Sequence, residues 1–271
     1  MSRLLALVAG FVSMLVCGPG WAQSPGSSQC LAMAQALPNV TYVNLRVAAN
    51  EDVRITYAGH STYVIETPGG VRIATDYTGT YDTGGVPDVV TMNRAHSTHY
   101  TLHPDPRIKH VLHGWSDTPD GAKHDLVVGD VHIRNVPTDI RRYIYDSGSS
   151  AAMEPNGNSI FIFEVANLCI GHLGHLHHPL DETHLAAIGR LDVVMVPVDG
   201  TYTMSLEGVA EIVRRLRSSV VLPMHRFGTP LPDLLTRLRG QFAVEERTQS
   251  SLTISAGTLP ASPTVIVLSG V

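Results

Sequence analysis

Residues 168–178 read LCIGHLGHLHH, an apolar run that passes directly into a group of histidines. The first part favours a buried β-strand, so these histidines are predicted to follow the strand's carboxyl end. Two more apolar strands, predicted over 88–92 and 219–224, are also followed by histidine. Because chemistry often collects at strand ends, the three segments are expected to meet. The histidines concerned are His96, His99, His172, His175, His177, His178 and His225.

The surrounding sequence predicts an α/β protein of layered sheets with helices on their outer faces. Runs of β-branched and aromatic residues come first, turn signals at 129–130 and 166–167 indicate two hairpins, and helical periodicity comes mainly later. The predicted strands cover 40–47, 53–57, 63–66, 71–75, 88–92, 108–112, 125–136, 159–165, 168–173, 191–198, 219–224, 252–255 and 264–268. The predicted helices cover 181–188, capped by Asp181, 205–216 and 232–238.

Several segments between Val53 and Phe227 follow an order shared with a known superfamily. They include ITYAGHST at 55–62, GGVRIATD at 69–76, and the segments 87–99, 169–180, 196–198 and 223–225. In this order they resemble the metallo-β-lactamase superfamily, in the branch similar to ascorbate-6-phosphate lactonase. The resemblance implies a four-layer αββα sandwich and a metal-dependent hydrolase.

The ligand pattern departs from that of the superfamily. His175 stands in place of the bridging aspartate, and Thr138-Asp139-Ile140 occupies a place where a further histidine is expected. The four positions of the superfamily's HxHxDH motif read Arg94, His96, Thr98 and His99. The positive charge of Arg94 would repel a cation at the first of the two usual metal sites.

The resemblance therefore implies one divalent metal ion, with the ligands His96, His99, His175 and His225. Three histidines together with water give the open geometry of a catalytic zinc site. Zinc is the expected metal, although iron, manganese and copper also bind nitrogen donors.

Other side chains are expected near the ion. Asp199 stands where relatives carry glycine, and it is predicted to act as a ligand or as a general base. Arg94 is predicted to bind a substrate carboxylate or phosphate, the alternative being an ion pair with Asp76 or Asp88. Asp76 is predicted to orient a histidine ring. His60 and His178 match positions near the pocket, where the alternative is a hydrogen bond to backbone.

The amino terminus predicts export. Arg3, the apolar run 4–17 and the breakers before Ala22 are typical of a signal peptide over 1–22, followed by a leader over 23–39 and one domain over 40–271. The chain is expected in the periplasm or outside the cell, with no membrane span after cleavage. Cys169 is expected to be a buried core residue and Cys30 to lie in a mobile leader, so no disulfide is predicted.

The composition indicates which classes of molecule the protein is suited to bind. Hydrophobic residues make up 44% of the 271 residues and the net charge is −5, so the chain can bury a large core and is poorly suited to nucleic acid or anionic membranes. A small molecule with an ester, lactone, amide or phosphoester bond is the expected substrate. The alternatives are a non-catalytic binding protein on the same scaffold and an iron or copper redox site.

Overall fold

The computed structural model describes residues 28–34, 51–142, 152–226, 228 and 231–271. The predicted signal peptide, most of the predicted leader and the predicted strand over 40–47 lie outside the described residues. Most of the other predicted strands, and all three predicted helices, are observed within a few residues of their expected bounds.

Within the described residues the first sheet has six strands, numbered here and below by their order in the chain. It contains β1 (Val53–Gly59), β2 (Thr62–Glu66), β3 (Arg72–Ala74), β4 (Val89–Met92), β5 (His110–His113) and β13 (Ser251–Ile254), in the order β13-β1-β2-β3-β4-β5. Strands β3, β4 and β5 run parallel, so their carboxyl ends lie at one edge of the sheet.

The second sheet has eight strands in the part of the chain that the structure describes, with the antiparallel hairpins at one side and parallel strands at the other. It contains β6 (Asp125–Val128), β7 (Val131–Arg142), β8 (Ala152–Val165), β9 (Leu168–His172), β10 (Val193–Pro197), β11 (Val220–Met224), β12 (Ala243–Glu246) and β14 (Thr264–Val267). Their order is β12-β14-β11-β10-β9-β8-β7-β6. Strands β9, β10 and β11 are parallel and buried along their whole length, because both faces of this sheet are covered.

The described helices are α1 (Gln29–Ala34), α2 (Glu182–Ile188), α3 (Leu206–Leu216) and α4 (Leu231–Leu238). Asp181 accepts a hydrogen bond from the backbone N–H of His184, which confirms the predicted cap of α2. Ser205 caps α3 in the same way, through the N–H of Gly208. Among the described residues, no helix is long and apolar enough to cross a membrane.

Two apolar layers hold the elements together. The larger core lies between the facing sheets and joins residues such as Ile55 and Ile65 of the first sheet to Phe161 and Phe163 of the second. A second core lies between the outer face of the second sheet and the helices, where Val209 and Leu234 pack on Val194 and its neighbours. Burial of both layers is the main contribution to folding free energy.

The outer face of the first sheet differs from the predicted fourth layer. In the part of the chain that the structure describes, loops 75–88 and 93–109 cover this face in place of helices, with Tyr77 and Ile108 packed against β4. Both loops contain helix breakers, Gly79, Gly84, Gly85 and Pro87 in the first and Pro104 and Pro106 in the second.

The expectation that Cys30 and Cys169 stay unpaired is wrong. A disulfide joins them, with their Cα atoms 5.9 Å apart. Cys169 is buried, as predicted, but the segment around Cys30 is held in place by Glu164, whose carboxylate accepts hydrogen bonds from Ser28 Oγ at 2.5 Å and from the N–H of Gln29 at 2.9 Å. The carbonyl of Cys30 also accepts from the N–H of Arg190. These contacts join residues far apart in sequence, so no local pattern indicates them.

Candidate metal centre

Four histidines from three separate strand ends meet at one edge of the two sheets. His96 and His99 lie in the loop after β4, His175 follows β9, and His225 is the residue directly after β11. One ring nitrogen from each lies within 4.8 Å of those of the other three. His99, His175 and His225 are buried, whereas His96 is exposed, so the cluster is open on one side. The structure thus brings together the four histidines singled out by the sequence, and their role as ligands stays a prediction.

His99 is oriented by a buried carboxylate. Its Nδ1 lies 2.6 Å from Oδ2 of Asp76, whose other oxygen accepts a hydrogen bond from the side chain of Asn93 at 2.8 Å. Burial raises the pKa of Asp76 to about 6, against the opposing effects of His172 and of the hydrogen bond from Asn93. Burial and the neighbouring histidines hold the pKa of His99 well below its usual value, so its ring is neutral near pH 7. The expected orienting role of Asp76 agrees with this geometry.

His225 lies beside Asp199, with 3.1 Å between Nδ1 and Oδ1, a contact at ion-pair distance in which Nδ1 makes no hydrogen bond. Oδ2 of Asp199 accepts hydrogen bonds from the backbone N–H groups of Thr201, Tyr202 and Thr203, at 2.9, 2.5 and 3.1 Å. Burial alone would raise the pKa of Asp199, but the contact with His225 and the hydrogen bonds from Thr203 and Thr201 outweigh it and hold that pKa well below the usual range. The carboxylate thus lies next to the cluster, and its role as ligand or general base stays a prediction.

His96 and His175 contact each other across the open side. Their Nε2 atoms lie 3.0 Å apart. Nδ1 of His96 lies 2.7 Å from Oγ1 of Thr98, and Nδ1 of His175 lies 2.9 Å from Nε2 of His177. Three rings of the cluster, those of His96, His99 and His175, therefore contact a neighbour through Nδ1 at hydrogen-bond distance.

Three residues beside the cluster have backbone angles in the left-handed region. The φ angles of His60, Asp76 and His225 are 50°, 41° and 53°. The carbonyl of His60 accepts the N–H of His225 at 2.7 Å, which ties the turn after β1 to the end of β11. Non-glycine residues rarely adopt this conformation, and such strain is common at functional sites.

The donors fit a tetrahedral metal ion. Among the described residues, Nδ1 of His225 has no hydrogen-bond partner, and the same is true of two other buried ring nitrogens, Nε2 of His99 and Nε2 of His225. Such atoms are costly to bury, and a bound cation would satisfy the two Nε2 atoms. Zinc–nitrogen bonds are about 2.0–2.1 Å long, so ring nitrogens that all lie within 4.8 Å of one another leave room for one such ion between them.

The other predicted residues differ in their placement. Nε2 of His60 lies 3.0 Å from Oγ1 of Thr98, and its ring centroid lies 4.2 Å from that of His225, so His60 does border the cluster. Burial lowers the pKa of His60 to about 4, with further lowering by His225 and His96. His178 instead bonds to backbone, with Nε2 accepting the N–H of Asp139 and Nδ1 facing the carbonyl of Pro179.

Arg94 pairs differently from the alternative considered for it. Its Nη1 lies 3.7 Å from carboxylate oxygens of both Asp117 and Glu154, and its side chain is 43% exposed. Asp88 instead pairs with Lys109, and Asp76 is fully buried with His99. The alternative, an ion pair of Arg94 with a carboxylate such as Asp76 or Asp88, is thus met by two other carboxylates, and the predicted contact of Arg94 with a substrate anion stays a prediction.

Sequence reasoning assigned no role to three supporting residues. Asn93 links Asp76 to the backbone of Ser159, and the carbonyl oxygen of the Asn158 side chain accepts the N–H of His175 at 2.7 Å. No motif marks either asparagine. His177, which contacts His175, stands where the superfamily's HLGDLGH segment has its second glycine, and this exchange was the one available signal.

Two facing sheets with a histidine site at their common edge define the metallo-β-lactamase fold. Comparison with known families agrees: residues 54–225 match the family model described as "Beta-lactamase superfamily domain". The chain belongs to this family.

Relatives place the chain among proteins named as hydrolases. It is similar to a crystal structure from Thermotoga maritima described as a candidate Zn-dependent hydrolase of the metallo-β-lactamase superfamily, with 26% identity, a TM-score of 0.57 and coverage of 80% of this chain and 98% of the other. A UPF0173 protein of Pyrococcus furiosus is 23% identical over 65% of this chain and 84% of its own length. A UPF0173 metal-dependent hydrolase of Thermoplasma acidophilum is 32% identical over 21% of this chain, a match that spans only 25% of that protein.

Proposed function

We propose that the protein is a metal-dependent hydrolase whose single metal ion is bound at the four-histidine cluster, and that its substrate is a small ester, lactone, amide or phosphoester. The observation that carries the proposal is the pair of buried, unpartnered Nε2 atoms of His99 and His225, each on a ring that lies beside a buried aspartate. This carboxylate–histidine arrangement is typical of metal sites in proteins.

The residues of the chain supply binding and orientation. When bound, a divalent ion supplies Lewis acidity, which activates water and polarises the scissile carbonyl or phosphoryl group. Asp76 holds the ring of His99 in the tautomer with Nε2 free of a proton, and Asp199 lies 3.1 Å from Nδ1 of His225. The buried rings exclude water from three sides, and exposed His96 marks the side from which substrate enters.

A single ion fits the donors better than two. The cluster of candidate ligands found among the described residues holds four histidines and no carboxylate. The aspartate that bridges two ions in the superfamily is absent, since His175 stands in its place. Zinc suits a tetrahedral nitrogen set, and iron, manganese and copper are the alternatives for the metal analysis to decide.

We also propose that the protein is exported to the periplasm or beyond the cell. The signal-peptide pattern over 1–22 motivates this location. The disulfide between Cys30 and Cys169 supports it, because such bonds persist in oxidising compartments and are rare in the cytosol.

The test is metal analysis of the purified protein, followed by hydrolysis assays on ester, lactone, amide and phosphoester panels before and after chelation. We expect one equivalent of metal and turnover that chelation abolishes. His225→Ala should lose the metal and keep its melting profile in chelator, and His103→Ala, at an exposed histidine away from the cluster, is the matched control. Metal-free wild type would favour a binding protein, and a coloured iron or copper protein that hydrolyses none of the panel substrates would favour a redox site; either result overturns the proposal.

A further inference from the structure

A carboxylate fixes the ring proton of His99, because Nδ1 of that ring lies 2.6 Å from Oδ2 of Asp76 and a carboxylate accepts. A neutral imidazole carries one ring proton, so a proton held at Nδ1 leaves a free electron pair at Nε2. The ring of His99 is therefore in the form that binds a cation through Nε2. Nδ1 of His96 lies 2.7 Å from Oγ1 of Thr98, a hydroxyl that can donate or accept, so this contact alone does not fix the proton of His96.

The ring of His177 is fixed in the opposite form by backbone groups. Its Nδ1 accepts a hydrogen bond from the N–H of Arg141 at 2.7 Å, so Nδ1 carries no proton. Its Nε2 lies 2.8 Å from the carbonyl oxygen of Tyr202, which can only accept. Nε2 of His177 is therefore a protonated donor.

This donor determines the form of His175. Nδ1 of His175 lies 2.9 Å from the protonated Nε2 of His177, and a proton on both atoms would set two N–H groups against each other. Nδ1 of His175 thus accepts, and its proton sits on Nε2. That proton points toward Nε2 of His96, 3.0 Å away, whose electron pair accepts it. The donors and acceptors then agree along the whole chain from Arg141 to Thr98.

We propose that His175 is a hydrogen-bond donor into the pocket and not a metal ligand, and that His177 is the positioning residue that fixes it in this form. The inference deepens the proposed function and rests on it: His96, His99 and His225 would hold the ion. With Nε2 of His96 engaged by a cation, the Nε2–H of His175 would be free to face the substrate. It suits an acyl or phosphoryl oxygen that gains negative charge during attack.

The sequence exchange agrees with this division of roles. His175 and His177 stand where the superfamily's segment has an aspartate ligand and a glycine. A histidine at position 175 alone is free to place its proton on either nitrogen. The second histidine, buried and bonded to two backbone groups, removes that freedom.

The first test reads the ring protons directly in metal-free protein. Two-bond proton–nitrogen NMR spectra of ¹⁵N-histidine-labelled protein distinguish bare from protonated nitrogens, and His175→Gln assigns the signals of ring 175. We expect a bare Nδ1 and a protonated Nε2 for His175, and the reverse for His99. A protonated Nδ1 on His175 would overturn the inference, whether or not the protein binds metal.

The second test measures zinc affinity by competition with a chromophoric chelator. His175→Gln should keep one equivalent of zinc with affinity lowered at most about 10-fold, whereas His99→Gln and His225→Gln should lose far more than the 10–100-fold typical of an orienting partner. His103→Ala is the unaffected control, and melting profiles in chelator confirm that each variant folds. Loss of zinc from His175→Gln equal to that of His99→Gln refutes the inference but leaves the proposed function standing.

Two variants at position 177 test whether His177 fixes the ring proton of His175 or only fills space beside it. His177→Gln keeps an N–H donor facing His175, so we expect the ring-proton pattern of wild type. His177→Glu presents an acceptor of nearly the same size, so the proton of His175 should move to Nδ1 and the Co²⁺ spectrum should show a fourth nitrogen ligand. Identical ring-proton patterns in the two variants would contradict the assigned role of His177.

Discussion

At the scale of single residues, the chemistry of the site depends on partners that the sequence does not mark. The histidines themselves were predictable, because each follows an apolar strand and strand ends converge in this fold. The role of Asp199 was not, because its carboxylate is engaged by the backbone N–H groups of residues 201–203 as well as by His225. A backbone N–H group is present in almost every residue type, so the sequence does not show where such donors will lie. The sequence therefore predicted that Asp199 lies near the pocket, but not what its carboxylate contacts.

Asp199→Asn should weaken zinc binding about 10–100-fold, because the neutral side chain orients His225 less strongly and makes its ring a poorer ligand. Competition titration with a chelator measures the change. Asp233→Asn, at an exposed position on α4, is the matched control. Equal zinc affinities in the two variants would show that Asp199 only stabilises the loop over residues 201–203 and does not affect metal binding.

At the scale of elements, one buried ion pair joins the amino-terminal segment to the second sheet and to α2. Arg134 on β7 donates to Glu164 on β8 at 2.8 Å and to the carbonyls of Ala187 and Ile188 at the end of α2. Burial alone would raise the pKa of Glu164, but hydrogen bonds from Ser28 and Arg134 outweigh it and lower that pKa. Elements were predictable from periodicity, whereas this contact between distant elements was not.

Glu164→Gln should lower the free energy of unfolding by about 2 kcal/mol near pH 7, because Arg134 loses a buried charged partner. A carboxylate with a lowered pKa stabilises the fold above its ordinary pKa, and the effect is lost as the pH falls through the lowered value. The difference between variant and wild type should therefore shrink in acid. Urea unfolding of both proteins from pH 7 to pH 3 measures this difference in unfolding free energy. His132, 3.7 Å from Glu164, faces the same position, so a His132→Ala background should be measured as well. A difference that is constant with pH would contradict the assignment.

Reduction of the disulfide should destabilise the fold by about 2–4 kcal/mol, because the bond closes a long loop across 139 residues of sequence. Thermal unfolding of wild type with and without reductant, compared with a Cys30→Ser, Cys169→Ser double variant, measures the effect. The double variant should not respond to reductant. A wild type that melts at the same temperature in both conditions would show that the loop adds nothing to stability.

At the scale of the whole molecule, the site lies where the two sheets meet, so binding and folding are coupled. The sequence predicted two layered sheets and their family resemblance, because the strand patterns and their order are local information. It did not predict that loops 75–88 and 93–109 replace an outer helical layer, since glycine and proline mark an irregular segment without showing what it covers.

Zinc should raise the melting temperature, because an ion that binds only the folded chain stabilises it. At free zinc 100 times the dissociation constant the gain is about 2.7 kcal/mol. Differential scanning calorimetry with zinc or with chelator measures the shift, and His225→Ala should show none. A similar shift in that variant would place the bound zinc elsewhere on the protein.

The left-handed conformation of His60 permits a prediction with its own control. Glycine adopts this conformation without the steric cost of roughly 1 kcal/mol that a side chain carries. His60→Gly should therefore be more stable than His60→Ala by about that amount, although both lack the ring. Chemical denaturation of the two variants compares them. Greater stability of the alanine variant would show that the backbone at position 60 is relaxed.

The three strained positions have a consequence for directed evolution. A library selected only for heat resistance should drift toward glycine at position 60, and each such gain would remove a ring that borders His225. Selection for thermal stability and selection for metal binding therefore favour different residues in this turn. A selection that does not also require metal binding would yield stable variants that have lost the metal.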